Sequence, residues 1–276
     1  MQVLAERLWS DASRWHLGEL VWFQHIGRAE WRTCLWEYGE QVVAWAWVKL
    51  PGQLDLQIDP AHIDLAAEIL RWFDDVAEGD GRTVTVLDAE ADLIHVLRRD
   101  GYQEQTTGPH FIHLQRSLAD LPEPRIPDGY TLRSVRGESD AGARAAVHRA
   151  AFSRPDRPPS GVSADGYLQI MRAWPYRAEL DWLVEAPDGT PAASCLGWLD
   201  AHNRVAVLEP VGADPGHRRR GLASAASLAA LRTARRLGAE SARVCARGDD
   251  DYPSARATYE ALGFRRYARN VTFVRG

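Results

Sequence analysis

Apolar and polar positions fall into two successive runs of elements with the same order. In the first run, residues 35–38 and 42–48 alternate around Gly39 as a hairpin would, and residues 54–58 form a strand pattern that stops at Asp59-Pro60. A helical spacing over 65–73, a strand over 83–87 and a helix over 91–99 that ends at Gly101-Tyr102 complete it. The second run has strands over 182–185 and 192–199 around Pro187-Asp188-Gly189. It continues with a strand over 205–213 that stops at Asp214-Pro215, a helix over 223–237, a strand over 242–246, and a helix that ends at Gly263-Phe264. Between the runs, residues 118–129 carry Pro122, Pro124 and Pro127 without periodicity and read as a linker. The pattern predicts a distant duplication with a unit over 1–120, a linker over 121–128 and a unit over 129–276.

The second unit contains a feature that the first lacks. Its strand over 205–213 runs through Asp214-Pro215-Gly216-His217-Arg218-Arg219-Arg220-Gly221-Leu222-Ala223 into an alanine-rich helix. The first-turn amides of a helix have no intrahelical acceptor, and the helix dipole places partial positive charge there. Gly221 admits close approach of an anion, and arginines add charge and forked donors. A strand, an arginine-glycine turn and a helix therefore make a place to hold phosphates. Neither G-x-x-x-x-G-K-[ST] nor G-x-G-x-x-G occurs.

The spacing Arg218-x-x-Gly221-x-Ala223 resembles the acetyl-CoA pyrophosphate loop of the GCN5-related N-acetyltransferase (GNAT) superfamily. A second block, Pro253-Ser254-Ala255-Arg256-Ala257-Thr258-Tyr259-Glu260-Ala261-Leu262-Gly263-Phe264, resembles that superfamily's last motif. Ala255, Tyr259, Gly263 and Phe264 fall on the expected positions, and Tyr252 stands where asparagine is usual. The resemblance covers residues 129–276, and the matching element order extends it to a tandem arrangement. It implies an α/β (α+β) fold of two GNAT-like domains. Each would be a mixed, mostly antiparallel twisted sheet flanked by helices, with a splayed strand pair for the coenzyme in the second. The first copy has neither the arginine nor the glycine after Pro60, and Leu97 stands where the second has Tyr259, so it reads as degenerate.

The resemblance further implies an acyltransferase that passes an acetyl group directly from acetyl-CoA to the primary amine of a small molecule, without a metal. The backbone of Val211, Gly212 and Ala213 would hold the thioester. Arg218, Arg219, Arg220, Gly221, Leu222, Ala223 and Ser224 would wrap the pyrophosphate. Tyr259 would protonate the departing thiolate; the residue pattern alone also suits a core aromatic on an amphipathic helix. Glu209, the acid in an otherwise apolar strand, is the candidate base, with a surface carboxylate beside Pro210 as the alternative. Gly212 suits either a strand bulge or a packing contact. Two other functions stay open: a non-catalytic acyl-CoA sensor, which would need neither Glu209 nor Tyr259, and a protein or peptide N-acetyltransferase.

Composition narrows the partners. Residues 1–126 hold 11 basic against 21 acidic side chains and residues 127–276 hold 22 against 17, so a net −10 faces a net +5. The basic half suits a polyanionic coenzyme, and the acidic half would repel nucleic acid. No apolar run reaches the roughly 18 residues of a membrane helix, and residues 1–10 have no apolar leader pattern, so a cytoplasmic monomer or homodimer is expected. Lys49 is the only lysine among many arginines, the bias of a GC-rich bacterial genome. Cys34, Cys195 and Cys245 lie far apart, with no metal-ligand spacing and no histidine beside Cys245 in sequence. His110 and His113 should point to opposite faces of a strand. Trp9, Trp15, Trp22, Trp31, Trp36, Trp45, Trp47 and Trp72 crowd the first unit as core or as an acceptor wall. The stretch Ser153-Arg-Pro-Asp-Arg-Pro-Pro159 and the aromatics Tyr167, Trp174 and Tyr176 are candidates for the acceptor side or for packing.

Overall fold

The computed structural model describes residues 1–26, 31–153 and 160–276; Arg154 to Pro159 therefore lie outside the described residues. The chain opens with α1 (Gln2–Arg7) and α2 (Leu17–Ile26). The first run follows as β1 (Arg32–Tyr38), β2 (Gln41–Lys49), β3 (Gln53–Ile58), a 3-10 segment Pro60–Leu65, α3 (Ala66–Val76), β4 (Arg82–Leu87), α4 (Ala91–Arg99), β5 (Gln103–Glu104) and β6 (Phe111–Ser117). The second comprises β7 (Thr131–Ser134), α5 (Ala141–Phe152), α6 (Ala164–Arg172), β8 (Asp181–Glu185), β9 (Pro191–Asp200), β10 (Val205–Ala213), α7 (Leu222–Arg236), β11 (Ser241–Arg247), α8 (Ser254–Ala261) and β12 (Arg265–Arg275). Local chemistry sets many boundaries. The Asp59 carboxylate accepts from the Ala61 amide after β3, and glycines at positive φ, Gly101, Gly238 and Gly263, stop α4, α7 and α8.

The strands join in the order β1-β2-β3-β4-β12-β6-β11-β10-β9-β8-β7, with β5 beside β12. Most pairings are antiparallel; β3 with β4 and β10 with β11 are parallel. The halves exchange strands. β6, from the first run, lies in the second half's sheet, paired with β11 from Phe111↔Arg247 to Ser117↔Ser241 and with β12 on its other side. β12 then runs on into the first half's sheet and pairs with β4 from Asn270↔Leu87 to Arg275↔Arg82. The linker in sequence and the seam in space therefore do not coincide. Leu121, within the linker, is buried, and its carbonyl accepts from Arg232 on α7.

Each half keeps its own apolar core. Alanines of α7 (Ala226, Ala230, Ala234) let this helix sit close on β9 and β10, and Ile69, Leu70 and Phe73 of α3 fill the corresponding position on β2 and β3. Of the eight tryptophans, Trp15, Trp22, Trp45 and Trp47 are buried, and Trp15, Trp45 and Trp47 meet edge-on or tilted. Two buried ion pairs fasten the helices. Arg144 on α5 donates to Asp181 on β8 at 2.6 Å, and that carboxylate also accepts from the hydroxyls of Tyr167 and Tyr176. Arg243 on β11 donates to Glu19 on α2 at 2.7 Å and to the Ser13 carbonyl at 2.7 Å, tying the N-terminal helices to the second half.

Candidate active site

β10 and β11 pair only at Val205↔Ser241, Ala206↔Ala242 and Val207↔Arg243, then separate. β10 stays with β9 as far as Ala213↔Ala193, with a register shift between Leu208 and Val211. That shift falls on Glu209-Pro210, where proline has no N–H for the ladder. Gly212 is in regular register with Ser194 and is not part of the bulge. It serves packing instead: a Cβ there would come within 2.6 Å of Ala151 Cβ and 3.1 Å of the Phe152 ring. The outer part of β10 thus turns one edge toward open space, as a pantetheine chain pairing like an added strand requires.

The arginine-glycine turn closes one end of this gap. Asp214 caps the turn through the Gly216 amide at 2.7 Å, and Gly221 at φ +76° starts α7. The Ala225 amide is the first to find a partner, the Gly221 carbonyl at 2.9 Å. The amides of Leu222, Ala223 and Ser224 precede it and face the groove as orphan donors. A Cβ on Gly221 would meet nothing within 4 Å. Arg218 braces the turn through the Ala213 carbonyl at 3.4 Å and the Ala151 carbonyl at 3.1 Å. A groove of about 570 Å³ runs from here to α8, and its lining includes Val211, Gly212, Ala213, Arg218, Arg219, Gly221, Leu222, Ala223, Ser224 and Tyr259. Arg220 is exposed and outside the lining. His217, Tyr252, Ala255 and Thr258 also line it. Of these Ala255 had a readable signal: it lies one helical turn before Tyr259, on the same face, where a small side chain leaves room.

A second cavity of about 280 Å³ adjoins the groove, and the two share Val211, Gly212, Ala213, Arg218, Tyr252, Ala255 and Tyr259. Glu209 lines this second space only. Burial pushes its carboxyl up to about 8, with the Glu19 carboxylate adding to the shift. Tyr259 stands at the junction, buried edge-on against Phe264 at 6.0 Å. Burial first, and then the neighbouring Glu209, hold its phenol well above the ordinary range, so it keeps its proton. Among the described residues its hydroxyl has no hydrogen-bond partner within the chain. A phenol that keeps its proton and a carboxyl of raised pKa therefore line the second cavity together.

Strand exchange brings a histidine to Cys245 that sequence order conceals. Cys245 lines the second cavity, and its Sγ lies 3.4 Å from Nδ1 of His113 on β6, whose Nε2 lies 2.7 Å from Asn270 Oδ1. The Cys-His-Asn order looks nucleophilic, but the electrostatics oppose it. Desolvation raises the thiol well above its usual value and lowers His113 to about 3, so both groups are neutral. Of the acceptor-side candidates of the sequence, residues 154–159 lie outside the described residues, and the aromatics stand apart from both cavities. Tyr167 and Tyr176 bind Asp181, Trp174 is outside both cavities, and none of the eight N-terminal tryptophans lines either. Phe111, Ala151 and Phe152 occupy that side instead.

The fold is that of the GNAT acetyltransferases. Residues 149–264 match the model of the acetyltransferase (GNAT) family. These residues belong to that family, and the chain carries them in a tandem of two GNAT folds. A tandem GNAT protein from the clavulanic acid biosynthesis pathway superposes with a TM-score of 0.65 at 16% identity over 99% of this chain and 92% of that one. A GCN5-related N-acetyltransferase from Sphaerobacter thermophilus gives 0.63 at 20% identity over 86% and 77%. In sequence, the chain is similar to mycothiol acetyltransferase of Salinispora tropica, 34% identical over 59% of this chain and 54% of that protein. It is also similar to mycothiol acetyltransferase of Segniliparus rotundus, 27% identical over 82% and 86%. The chain thus spans about half the length of the Salinispora relative. No helix among the described residues is long and apolar enough to cross a membrane.

Proposed function

We propose that the protein is an acetyl-CoA-dependent N-acetyltransferase acting on the primary amine of a small molecule. In this reading residues 129–276 carry the chemistry, residues 121–128 link, and residues 1–120 shape the structure around it. The observation that carries the reading is the junction at Tyr259. The groove that suits a coenzyme and the cavity that suits an acceptor meet there along the backbone of Val211, Gly212 and Ala213. The pyrophosphate sits on the Leu222, Ala223 and Ser224 amides, with Arg218 and Arg219 neutralising its charge and Arg220 at its outer edge. The ammonium gives a proton to the Glu209 carboxylate, the freed nitrogen attacks the thioester carbonyl, and the carbon–sulfur bond breaks as Tyr259 protonates the sulfur; the nitrogen's second proton leaves as the amide forms and restores Tyr259. Cys245 takes no covalent part. Mycothiol acetyltransferase, the name of the curated relatives, supports a small-molecule acceptor. Release of CoA thiol that requires both acetyl-CoA and an added amine is the expected result. Tight coenzyme binding with no transfer to any amine would replace this reading with the sensor.

A further inference from the structure

The cavity beside Glu209 has walls that discriminate among amines. Phe111 is 45% exposed and Phe152 is 44% exposed, two of the seven large hydrophobic side chains that stand exposed among the described residues, and both border this one space. Scattered exposed apolar residues are ordinary, but a pair around one concavity marks a ligand surface. Both are held in place. The Phe152 ring stacks on His148 at 4.4 Å and 22°, and it lies where a side chain on Gly212 would stand. Phe111 is delivered by the exchanged β6, in register with Arg247. Ala151, Val211, Ala246 and Ala255 extend the apolar wall.

The charges point the same way. Of the two arginines in the lining, Arg218 is engaged by the Ala151 and Ala213 carbonyls, and Arg247 is engaged by Asp249 through two bonds of 2.5 and 2.6 Å. Among the described residues that line the cavity, Glu209 is the only carboxylate. A second ammonium would find no further carboxylate among these described residues, and a ring of hydroxyls set against Phe111, Phe152 and the alanines would bury donors at a cost.

We propose that the acceptor is a primary monoamine with one aromatic or branched apolar group close to its nitrogen, packed against Phe111 and Phe152, rather than a polyamine, an amino sugar or a lysine side chain. This rests on the transfer reaction proposed above. Two apolar walls and one carboxylate read an amine by its hydrocarbon portion and present its nitrogen to Glu209. With that carboxyl protonated near neutrality, the site also holds little standing negative charge to draw in a polycation.

Steady-state acetylation of 2-phenylethylamine and isoamylamine, against spermidine, glucosamine and a lysine amide, tests the inference at saturating acetyl-CoA. The apolar monoamines should lead in kcat/KM by about tenfold or more, the worth of one buried apolar group. Phe111→Ala and Phe152→Ala should each raise the KM for 2-phenylethylamine by about tenfold, lower kcat less, and leave the KM for methylamine and the acetyl-CoA Kd unchanged. Phe111→Leu, which keeps apolar bulk should the alanine variant fold poorly, should recover most of the lost affinity. A preference for spermidine, glucosamine or the lysine amide, or an unchanged KM in both alanine variants, would overturn this inference and leave the transfer reaction standing. Coenzyme binding with acetylation of none of these amines would overturn both.

Discussion

The two halves part a parallel strand pair at the same place in the order of elements and use the gap in opposite ways. In the first half, β3 and β4 pair only at Gln53↔Thr83 and Leu54↔Val84. The protein's own chain then enters. Arg14 donates to the Thr85 carbonyl and to Asp55 at 2.7 Å each, and the Trp15 indole donates to the Leu56 carbonyl at 3.1 Å. In the second half, the gap beyond Val207↔Arg243 opens into the groove. Parted strands leave backbone groups that need partners. In the first half the chain itself supplies such partners at Thr85 and Leu56, whereas the outer part of β10 lines a groove and a cavity, with the Glu209 carbonyl accepting from the Trp198 indole at 2.7 Å. The landmarks around each gap agree: a 3-10 segment without arginine or glycine follows β3, and fully buried Leu97 stands where the second half has Tyr259.

The comparison breaks most sharply at Tyr259. Tyr259→Phe keeps the ring packing and removes the proton donor. Turnover should fall by about 10²–10⁴, while the coenzyme Kd and the melting temperature change little, since one neutral hydrogen bond is worth only about 0.5–1.5 kcal/mol. Wild-type turnover with chemistry rate-limiting would return Tyr259 to the core.

Glu209 sharpens the comparison through pH. Its carboxyl titrates near 8, so the base form accumulates only above that value and turnover should fall as pH drops below about 8. Glu209→Gln should lower turnover by about a hundredfold, flatten that limb and leave acetyl-CoA affinity nearly unchanged. A retained limb in the variant would place the base elsewhere.

The filled gap should answer to stability alone. Asp55 is fully buried between Arg14 and Lys49, at 2.7 and 2.6 Å, and this pairing holds its carboxyl below the usual carboxylate range against the cost of burial. Asp55→Ala should cost about 3–5 kcal/mol of unfolding free energy, because it leaves two cations facing each other in a buried site, and should not move the acetyl-CoA Kd. A changed Kd would mean that the first half participates in coenzyme binding. The smallest effect belongs to Cys245→Ser. A neutral thiol beside a neutral imidazole predicts less than about a threefold change in turnover and no acetylated enzyme by mass spectrometry.

The elements that make the two gaps were legible in the sequence, because hydrophobic period and turn residues are local signals. Residues 54–58 and 205–213 stop at Asp-Pro in the fold as they do in the pattern. The strand-turn-helix around Gly221 was legible for the same reason: the glycine, its flanking arginines and the following alanine-rich helix are contiguous. The exchange of β6 and β12 was not legible. A strand's period states which face is apolar but not which strand lies beside it, and these partners are more than a hundred residues apart in sequence. Everything that depends on the exchange was hidden with it, including His113 at Cys245 and Phe111 in the cavity beside Glu209. Tyr167 and Tyr176 left a binding wall and packing equally open in sequence, and the buried Arg144-Asp181 pair that claims their hydroxyls decides for packing.

The central claim is that one gap takes acetyl-CoA and the other cannot, and calorimetric titration with acetyl-CoA tests it most directly. The wild-type chain should bind one equivalent. Gly221→Glu should bind none, because it sets a negative charge beside the pyrophosphate. The position has space for the side chain, and its positive φ costs only about 1–2 kcal/mol, so the fold should survive. Two equivalents in the wild type, or a full equivalent retained by folded Gly221→Glu, would contradict the account.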